Sequence, residues 1–232
     1  MNVIRRARAW LKRNYLVRRG RKPPFEPVLF NRVFPHLATV RISLQCFEEC
    51  IGGVTLKELS YLSILAKSIE SAQIFEIGTS MGRTTLNMAI NLDPGGHIYS
   101  LDLPDGFIPD ESCYARAQNI EVCDLPRAQF LQPFMDHLPV TLLQGESTAF
   151  DFKPWFGKMD LVFVDGGHTY KVLESDSENA MKMIKKSGMV IWHDYEQPSC
   201  PEVAQFINNL ALRLPLRHIE GTNMALYLDG FR

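Results

Sequence analysis

Short continuous apolar runs alternate along the chain with longer stretches in which apolar residues recur every three or four positions. The runs are typical of buried parallel strands, and the longer repeats are typical of amphipathic helices. Predicted strands lie at residues 73–77, 97–101, 140–143, 160–164, 189–192, 216–219 and 224–228. This alternation predicts an α/β protein with a Rossmann-like, doubly wound sheet of about seven strands.

The last two predicted strands are joined by a short connection from Glu220 to Asn223. A connection this short favours an antiparallel pair. The sheet is therefore expected to be mostly parallel and to end in an antiparallel C-terminal strand hairpin. A nicotinamide-binding domain would add a parallel strand at this point, so the hairpin disfavours that kind of domain.

The composition predicts one main domain with a basic leader. The chain has 232 residues, of which 46% are hydrophobic and 22% charged, which suffices for a single α/β core. Residues 1–25 carry nine basic side chains and no acidic one, and they are expected to form a basic leader with a short helix. Residues 26–232 form the main domain. Its irregular stretch 103–138 is expected to be a lid or a substrate insert.

The first strongly predicted strand ends in a glycine loop that begins at Gly78 and closes at Gly82. Such a loop, followed by a helix, brings backbone N–H groups close to a ligand. Ser80 occupies the position of the second glycine of a dinucleotide fingerprint, and the loop lacks the Gly-Lys-Ser/Thr of a P-loop. The spacing of Glu76, Gly78 and Gly82 therefore favours a ligand that carries no phosphate here.

An acid follows the next predicted strand. Asp102 lies 24 residues after Gly78, at the expected carboxyl edge of the sheet. An acid in this position can accept hydrogen bonds from both hydroxyls of a ribose. Asp102 therefore supports a ligand that contains a ribose, without choosing among the cofactors that do.

Two later strands end in ionisable residues that are expected at the same edge. Asp165 and His168 follow the strand at 160–164, and His193 and Asp194 follow the next strand along the chain. Carboxylates and imidazoles can bind a metal ion or move a proton near neutral pH. These four residues form the predicted reaction centre.

The glycine loop, the segment 165–170 (DGGHTY) and the segment 192–195 (WHDY) resemble those of class I S-adenosylmethionine (SAM)-dependent methyltransferases. The resemblance covers roughly residues 55–228. It is to the small-molecule O-methyltransferase-like group, with its catechol-type, macrolide-sugar and cephalosporin-pathway relatives. It implies methyl transfer from SAM to a hydroxyl oxygen of a sugar, polyketide or phenol. In such a transfer the protein mainly positions and deprotonates the acceptor.

The resemblance also implies roles for individual residues, with the corner at 145–147 contacting the adenine. The implied SAM-binding residues are Glu76, Gly78, Thr79, Ser80, Gly82, Asp102, Gly145, Glu146, Ser147 and Asp165. The expected catalytic residues are Asp165, His168 and His193.

Some members of this group use a divalent cation, which the resemblance would place on Asp165, His193 and Asp194. Mg²⁺ prefers oxygen ligands, and His193 stands where an oxygen ligand is expected. A softer ion such as Mn²⁺ can bind an imidazole. The alternative is a metal-free reaction in which His168 or His193 is the general base. The sequence leaves both possibilities open.

Two other functions stay open at this stage: a nicotinamide-dependent oxidoreductase, and an inactive SAM-fold protein that serves as a binding or scaffold protein. The expected partner is a small-molecule acceptor. Nucleic acid is not expected, because the main domain is acidic and lacks a basic groove. The expected location is the cytoplasm, and residues 1–22 could contact an anionic membrane surface as basic amphipathic helices do. Whether the chain forms homo-oligomers is left open.

Overall fold

The structure is a computed structural model that describes residues 25–47, 53–104 and 126–230. Its strands are β1 (Pro27–Val28), β2 (Gln73–Ile77), β3 (His97–Asp102), β4 (Val140–Gln144), β5 (Met159–Val164), β6 (Ile184–Trp192), β7 (Arg217–Ile219) and β8 (Ala225–Leu228). The helices are α1 (Phe30–Val33), α2 (Leu56–Ser68), α3 (Arg83–Ala89), α4 (Tyr170–Met183) and α5 (Pro201–Leu210). Short 3₁₀ helices lie at Pro35–Leu37, Gln132–His137 and Lys153–Trp155.

In the described part of the chain, the strands form one sheet in the spatial order β1-β7-β8-β6-β5-β2-β3-β4. β8 runs antiparallel to its neighbours β6 and β7, and every other neighbouring pair is parallel. The predicted Rossmann-like class and its antiparallel C-terminal hairpin are therefore confirmed. The strand count differs by one, because the short β1 pairs with β7 at the edge of the sheet.

Helix α2 begins at a capping box that the sequence pattern signals. The N–H of Glu58 donates to Thr55 Oγ1 (3.3 Å), and Glu58 Oε2 accepts from the Thr55 N–H (2.7 Å). This reciprocal pairing satisfies backbone donors that have no partner inside the helix. Glu58 is also completely buried, which a capping residue does not need to be. Its burial brings a carboxylate beneath the site described below.

The core lies on both faces of the sheet, because successive side chains of a strand point to opposite sides. From β5, Leu161 and Phe163 belong to the apolar cluster that contains Leu62 of α2. Val162 belongs to the cluster on the other side, with Leu173 of α4. Burial of each such side chain contributes roughly 1.5–3 kcal/mol. The two layers of helices hold the central strands in a fixed register.

The central parallel strands end at the same level. Ile77 at the end of β2 pairs with Leu101 of β3 and with Val164 of β5, and Val164 pairs with Trp192 of β6. The loops after these four strands therefore line one edge of the sheet, which we call the carboxyl rim. All of the predicted reaction-centre residues lie on this rim.

Parts of two predicted segments lie outside the described residues: the basic leader before residue 25, and residues 105–125 of the predicted insert. The end of the insert is described. There the Ala128 N–H donates to the Ser80 carbonyl (2.8 Å) and the Phe130 N–H to the Met81 carbonyl (2.9 Å), so this end packs on the glycine loop. None of the described helices has the length and apolar character needed to cross a membrane.

Candidate active site

The glycine loop after β2 lies directly against the loop after β5. Gly78 adopts φ +103°, and a Cβ on it would lie 2.2 Å from the carbonyl oxygen of Asp165. No side chain is compatible with that approach, and a positive φ of this size strains residues other than glycine. Gly82 adopts φ +82° and is the N-cap residue that precedes helix α3. Two predicted site residues, Gly78 and Asp165, are therefore in contact through their backbones.

Glu76 supports this loop from beneath. It is completely buried and accepts hydrogen bonds from the hydroxyls of Thr85 and Ser100 (2.5 Å from Ser100). Ser100 in turn pairs with Thr79 of the loop at 2.6 Å. Burial, together with the charges of nearby carboxylates, raises the pKa of Glu76 to about 8, although the two hydroxyls lower it in part. Glu76 is thus largely protonated near neutral pH, and it stabilises the loop through its hydrogen bond with the Ser100 hydroxyl, which pairs with Thr79.

Asp102 lies at the end of β3 and holds the other side of the loop. Its carboxylate accepts hydrogen bonds from the backbone N–H of Ser80 (2.5 Å) and of Leu103 (2.7 Å). Arg127, at the end of the insert, forms an ion pair with it at 2.6 Å. The carboxylate therefore sits beside the loop where a ribose-binding acid is predicted. Sequence reasoning missed Arg127, which lies in the stretch with the least regular pattern.

The predicted adenine corner follows β4. The Gly145 N–H donates to the Asp102 carbonyl (2.9 Å), which ties this corner to the end of β3. Glu146 is exposed and accepts a hydrogen bond from the Thr148 hydroxyl. Ser147 lies next to the buried Asp176 of α4. Burial raises the pKa of Asp176 to about 7, although the hydrogen bond from the Ser147 hydroxyl lowers it in part. The predicted adenine corner therefore lies beside Asp102, the predicted ribose-binding acid.

On the far side of Gly78, His193 is enclosed by three carboxylates. Its Nδ1 lies 3.0 Å from Asp165 Oδ1 and 3.3 Å from Asp194 Oδ1. Its Nε2 lies 3.3 Å from Glu58 Oε2, so the carboxylate buried under the α2 cap reaches the rim. The His193 side chain is only 4% exposed. Sequence reasoning missed Glu58, because its pattern signals only a helix cap.

His168 completes the cluster from the loop after β5. Its Nε2 lies 2.9 Å from Asp194 Oδ2, and it also interacts with the buried Cys200. Asp194 adopts φ +57°, a left-handed conformation that is tolerated best by asparagine, aspartate and glycine. Both of its carboxylate oxygens are therefore held by imidazoles, Oδ1 by His193 and Oδ2 by His168. Cys200 was missed because its sequence surroundings contain no recognisable thiol motif.

The charges of this cluster compensate one another. Burial alone would lower the pKa of His193, but the carboxylates of Asp165 and Asp194 raise it well above the usual value. Burial likewise lowers the pKa of His168, and the contacts with Asp194 and Cys200 raise it further, to about 10. Burial raises the pKa of Asp194, yet the two imidazoles hold it far below its usual range. Both histidines are therefore cationic at neutral pH.

Glu58 and Asp165 differ within the same cluster. Burial raises the pKa of Glu58, but the hydrogen bond and charge of His193 and the Asn223 and Thr55 N–H groups lower it to about 2. Burial raises the pKa of Asp165, and the opposing effect of His193 does not cancel this shift. Asp165 is the more basic of the two carboxylates and is partly exposed on the rim.

Two groups of described residues place metal-ligand atoms within 4.8 Å of one another: Asp165, His193 and Asp194, and separately His168, Asp194 and Cys200. The first is the predicted metal set. Its two carboxylates suit Mg²⁺, but both nitrogens of His193 already face carboxylates. With these hydrogen bonds in place, His193 offers no lone pair to a metal. The predicted set of Asp165, His193 and Asp194 therefore does not fit a resident divalent cation.

The mostly parallel sheet with its antiparallel last strand, and the glycine loop and ionisable cluster on one rim, define a Rossmann-like methyltransferase fold. The chain belongs to the family described as "Methyltransferase domain", whose model matches residues 75–195. That match begins in β2 and ends just after Asp194, so it contains both the glycine loop and most of the charged cluster. The predicted membership of the class I methyltransferases is confirmed.

Solved structures show the same fold at low sequence identity. A methyltransferase of Podospora anserina, PaMTH1, bound to S-adenosylhomocysteine (SAH), has a TM-score of 0.59 and 12% identity over 87% of this chain and 95% of its own. The O-methyltransferase NovP has a TM-score of 0.56 and 15% identity over 75% of this chain and 80% of its own. TomG is a SAM-bound O-methyltransferase of Streptomyces achromogenes involved in tomaymycin synthesis. It has a TM-score of 0.52 and 17% identity over 87% of this chain and 97% of its own.

A comparison with curated protein sequences gives no match. The family match is to a methyltransferase domain and lends no support to a nicotinamide-dependent oxidoreductase or to an inactive scaffold.

Proposed function

We propose that this protein transfers the methyl group of SAM to a hydroxyl oxygen of a small molecule. The observation that carries the proposal is the contact between Gly78 and Asp165, which places the glycine loop against the ionisable cluster. A cofactor held by that loop would present its reactive end to the cluster. The similarity in fold to NovP and TomG, which are O-methyltransferases, supports oxygen as the methyl acceptor.

On the cofactor side, we assign the ribose hydroxyls of SAM to Asp102. Its carboxylate already binds the Ser80 N–H, so the ribose and the loop would share one acceptor group. The corner at Gly145 would lie against the adenine, because it is hydrogen-bonded to the end of β3. The predicted SAM-binding role of Glu76 becomes an indirect one, since Glu76 is buried and acts through hydroxyls.

On the acceptor side, we assign proton removal to Asp165. Its raised pKa makes it a stronger base than an ordinary aspartate, and one of its oxygens is not taken by His193. Asp194 is less suited, because imidazoles hold both of its oxygens. His168 is cationic, so it is not suited to remove the proton either. The base at the rim is therefore a carboxylate.

The chemistry at the methyl group needs little from the protein. SAM supplies the sulfonium leaving group, and the rim supplies alignment of the acceptor oxygen and an acceptor for its proton. The cluster contains three carboxylates and two imidazoles, so it is one charge negative when all five are ionised. A net negative charge beside a sulfonium cation favours SAM over the neutral product SAH.

The finer assignments of partner and location extend this proposal. A sugar, polyketide or phenol acceptor and a cytoplasmic location are compatible with a protein of this family. The proposed contact of residues 1–22 with an anionic membrane surface falls outside the described residues and stays a prediction, as does any homo-oligomer.

The proposal is tested with the full chain by titration calorimetry against SAM, SAH and NAD. We expect SAM and SAH to bind and NAD not to bind. A panel of sugars, polyketides and phenols with radiolabelled SAM then identifies the acceptor by the label that it gains. Failure of both SAM and SAH to bind would overturn the proposal, and label on a nitrogen or carbon atom would overturn its choice of oxygen.

A further inference from the structure

His193 lies in a cage of three carboxylates, which favours a cation at this position. Its two ring nitrogens face Asp165 and Asp194 on one side and Glu58 on the other, at 3.0–3.3 Å. A carboxylate accepts hydrogen bonds and donates none when it is ionised. Both ring nitrogens must then carry a proton to satisfy these contacts, and an imidazole with two N–H groups is an imidazolium. The geometry of the contacts therefore favours the cationic form of the ring.

The position of this imidazolium is informative. Its Nδ1 lies between one oxygen of Asp165 and one oxygen of Asp194, the two carboxylates that would otherwise bind a divalent cation. Metal-bound carboxylates are held in place and have their charge compensated by the ion. Here His193 would do both through its single Nδ1–H, which lies 3.0 Å from Asp165 Oδ1 and 3.3 Å from Asp194 Oδ1. The His193 side chain is only 4% exposed, so it faces the carboxylates rather than the open side of the rim.

We propose that the His193 imidazolium is a built-in cation that takes the place of a divalent metal ion in this reaction centre, and that Glu58 is the positioning residue that fixes it. The inference rests on the proposed methyltransferase function. It assigns to His193 neither of the two roles that the sequence suggested, a metal ligand or a general base.

Glu58 is well placed for this role. Its Oε1 accepts the Asn223 N–H (2.5 Å), and its Oε2 accepts the Thr55 N–H and hydroxyl as well as the His193 Nε2 proton. These donors keep the Glu58 carboxylate ionised although it is completely buried, as its low pKa reflects. A fixed anion on Nε2 keeps the ring oriented so that Nδ1 meets both aspartates. Glu58 therefore acts on Asp165 and Asp194 through His193, the ring of which it orients from the buried side.

The test exchanges the built-in cation for an oxygen ligand. In His193→Asp, three carboxylates replace two, which is the donor set that Mg²⁺ and Mn²⁺ prefer. We expect His193→Asp to bind Mn²⁺ at least tenfold more tightly than the wild-type protein, by calorimetry and by electron paramagnetic resonance. His193→Asn, which has nearly the same shape and no charge, is the matched control and should not gain affinity. Adding Asp165→Asn to His193→Asp should remove the gain.

Wild-type protein that binds Mn²⁺ as tightly as His193→Asp, with the binding lost in Asp165→Asn, would overturn the inference. So would loss of wild-type methyl transfer on treatment with a chelator and its recovery on adding Mg²⁺. Equal affinity of His193→Asp and His193→Asn for Mn²⁺ also contradicts it.

A second measurement does not depend on how well His193→Asp folds. Nitrogen-15 NMR of labelled histidine in wild-type protein should show both nitrogens of His193 protonated at pH 7. Glu58→Gln should lower the pKa of His193 and so weaken its proton affinity at least tenfold, whereas a purely structural role would leave it unchanged. A neutral His193 ring at pH 7 would overturn the inference.

The two proposals can fail separately. SAM binding is measured by calorimetry on the same wild-type sample, and neither the Mn²⁺ titration nor the NMR experiment requires SAM or an acceptor. An absent SAM site with a protonated His193 would reject the proposed function and retain the built-in cation. Binding of SAM together with a neutral His193 ring would retain the proposed function and reject the built-in cation.

Discussion

Glu58 and Glu76 are both completely buried beneath the carboxyl rim, yet they ionise in opposite directions. Burial raises the pKa of each. The partners of Glu76 are neutral hydroxyls, and its pKa rises to about 8. Glu58 also meets the His193 imidazole and backbone N–H groups, and its pKa falls to about 2. Hydrogen-bond partners, more than depth, decide whether a buried acid carries a charge.

The two glutamates represent two halves of the rim. The cofactor side, around Glu76 and Asp102, is built from hydroxyls, backbone N–H groups and one ion pair. The acceptor side, around His193, is built almost wholly from compensated charges. The cofactor side would bind the ligand mainly through hydroxyl and backbone groups, whereas the acceptor side would remove a proton, and these tasks need different constructions. Gly78 is the point at which the halves touch.

The largest effect is expected at that contact. Gly78→Ala would place a Cβ 2.2 Å from the Asp165 carbonyl oxygen at φ +103°, and should lower the free energy of unfolding by about 4 kcal/mol and abolish SAM binding. Urea unfolding and SAM calorimetry measure the two effects. Gly157→Ala is the matched control, because Gly157 has φ +67° but no atom within 4 Å of a Cβ, and should lose about 1 kcal/mol. Equal losses would contradict the contact.

A smaller effect should separate the two halves. Asp165→Asn removes the proposed base and should lower kcat about 100-fold, with less than a threefold change in the Kd for SAM. Asp102→Asn removes a charged acceptor and should raise the Kd for SAM about tenfold, with a smaller effect on kcat at saturating SAM. Calorimetry and initial rates with the acceptor from the panel measure both. Similar profiles for the two variants would mean that the halves are not distinct.

The smallest effect concerns the pH dependence of stability. The folded pKa of Glu76 is raised, so its stabilising contribution is complete below about pH 4.5 and is lost as the pH rises through 8. The folded pKa of Glu58 is lowered, so its contribution is complete above about pH 4.5 and is lost as the pH falls through 2.

Each wild-type free energy of unfolding is therefore compared with that of the matching variant, Glu76→Gln or Glu58→Gln, between pH 3 and pH 8. The advantage of wild type over Glu76→Gln should fall steadily as the pH rises from about 4.5 to 8, and its advantage over Glu58→Gln should fall as the pH drops from about 4.5 to 3. Urea unfolding at each pH measures the difference. Slopes of the same sign would show that partners do not set the two charges.

The sequence was most informative where site residues directly follow a predicted strand. The glycine loop and Asp102 are recognisable from spacing alone, because each sits directly after a strand and parallel strands end at one edge. The fold class followed from periodicity for the same reason. The two-residue strand β1 has too few residues to show a period, and so escaped prediction.

The acceptor side was harder to predict because its partners are distant in the chain. Glu58 and His193 are 135 positions apart, and nothing in the local pattern of either one indicates the other. Arg127 was hidden in an irregular stretch, although it forms the ion pair with Asp102. The sequence therefore predicted that Asp165, His168, His193 and Asp194 lie at one edge of the sheet, but not their charges or their contact with Glu58. These depend on contacts between helices and strands that only the fold brings together.

The pairing of Glu58 with Asn223, 165 positions later, has a consequence for how the protein is made. Synthesis proceeds from the N-terminus, and contacts between distant positions form slowly because long loops must close first. The glycine loop can form early from neighbouring strands. The cage around His193 is complete only when the segment before β8 has docked, near the end of the chain. A nascent chain would therefore acquire its cofactor loop well before it acquires a working reaction centre.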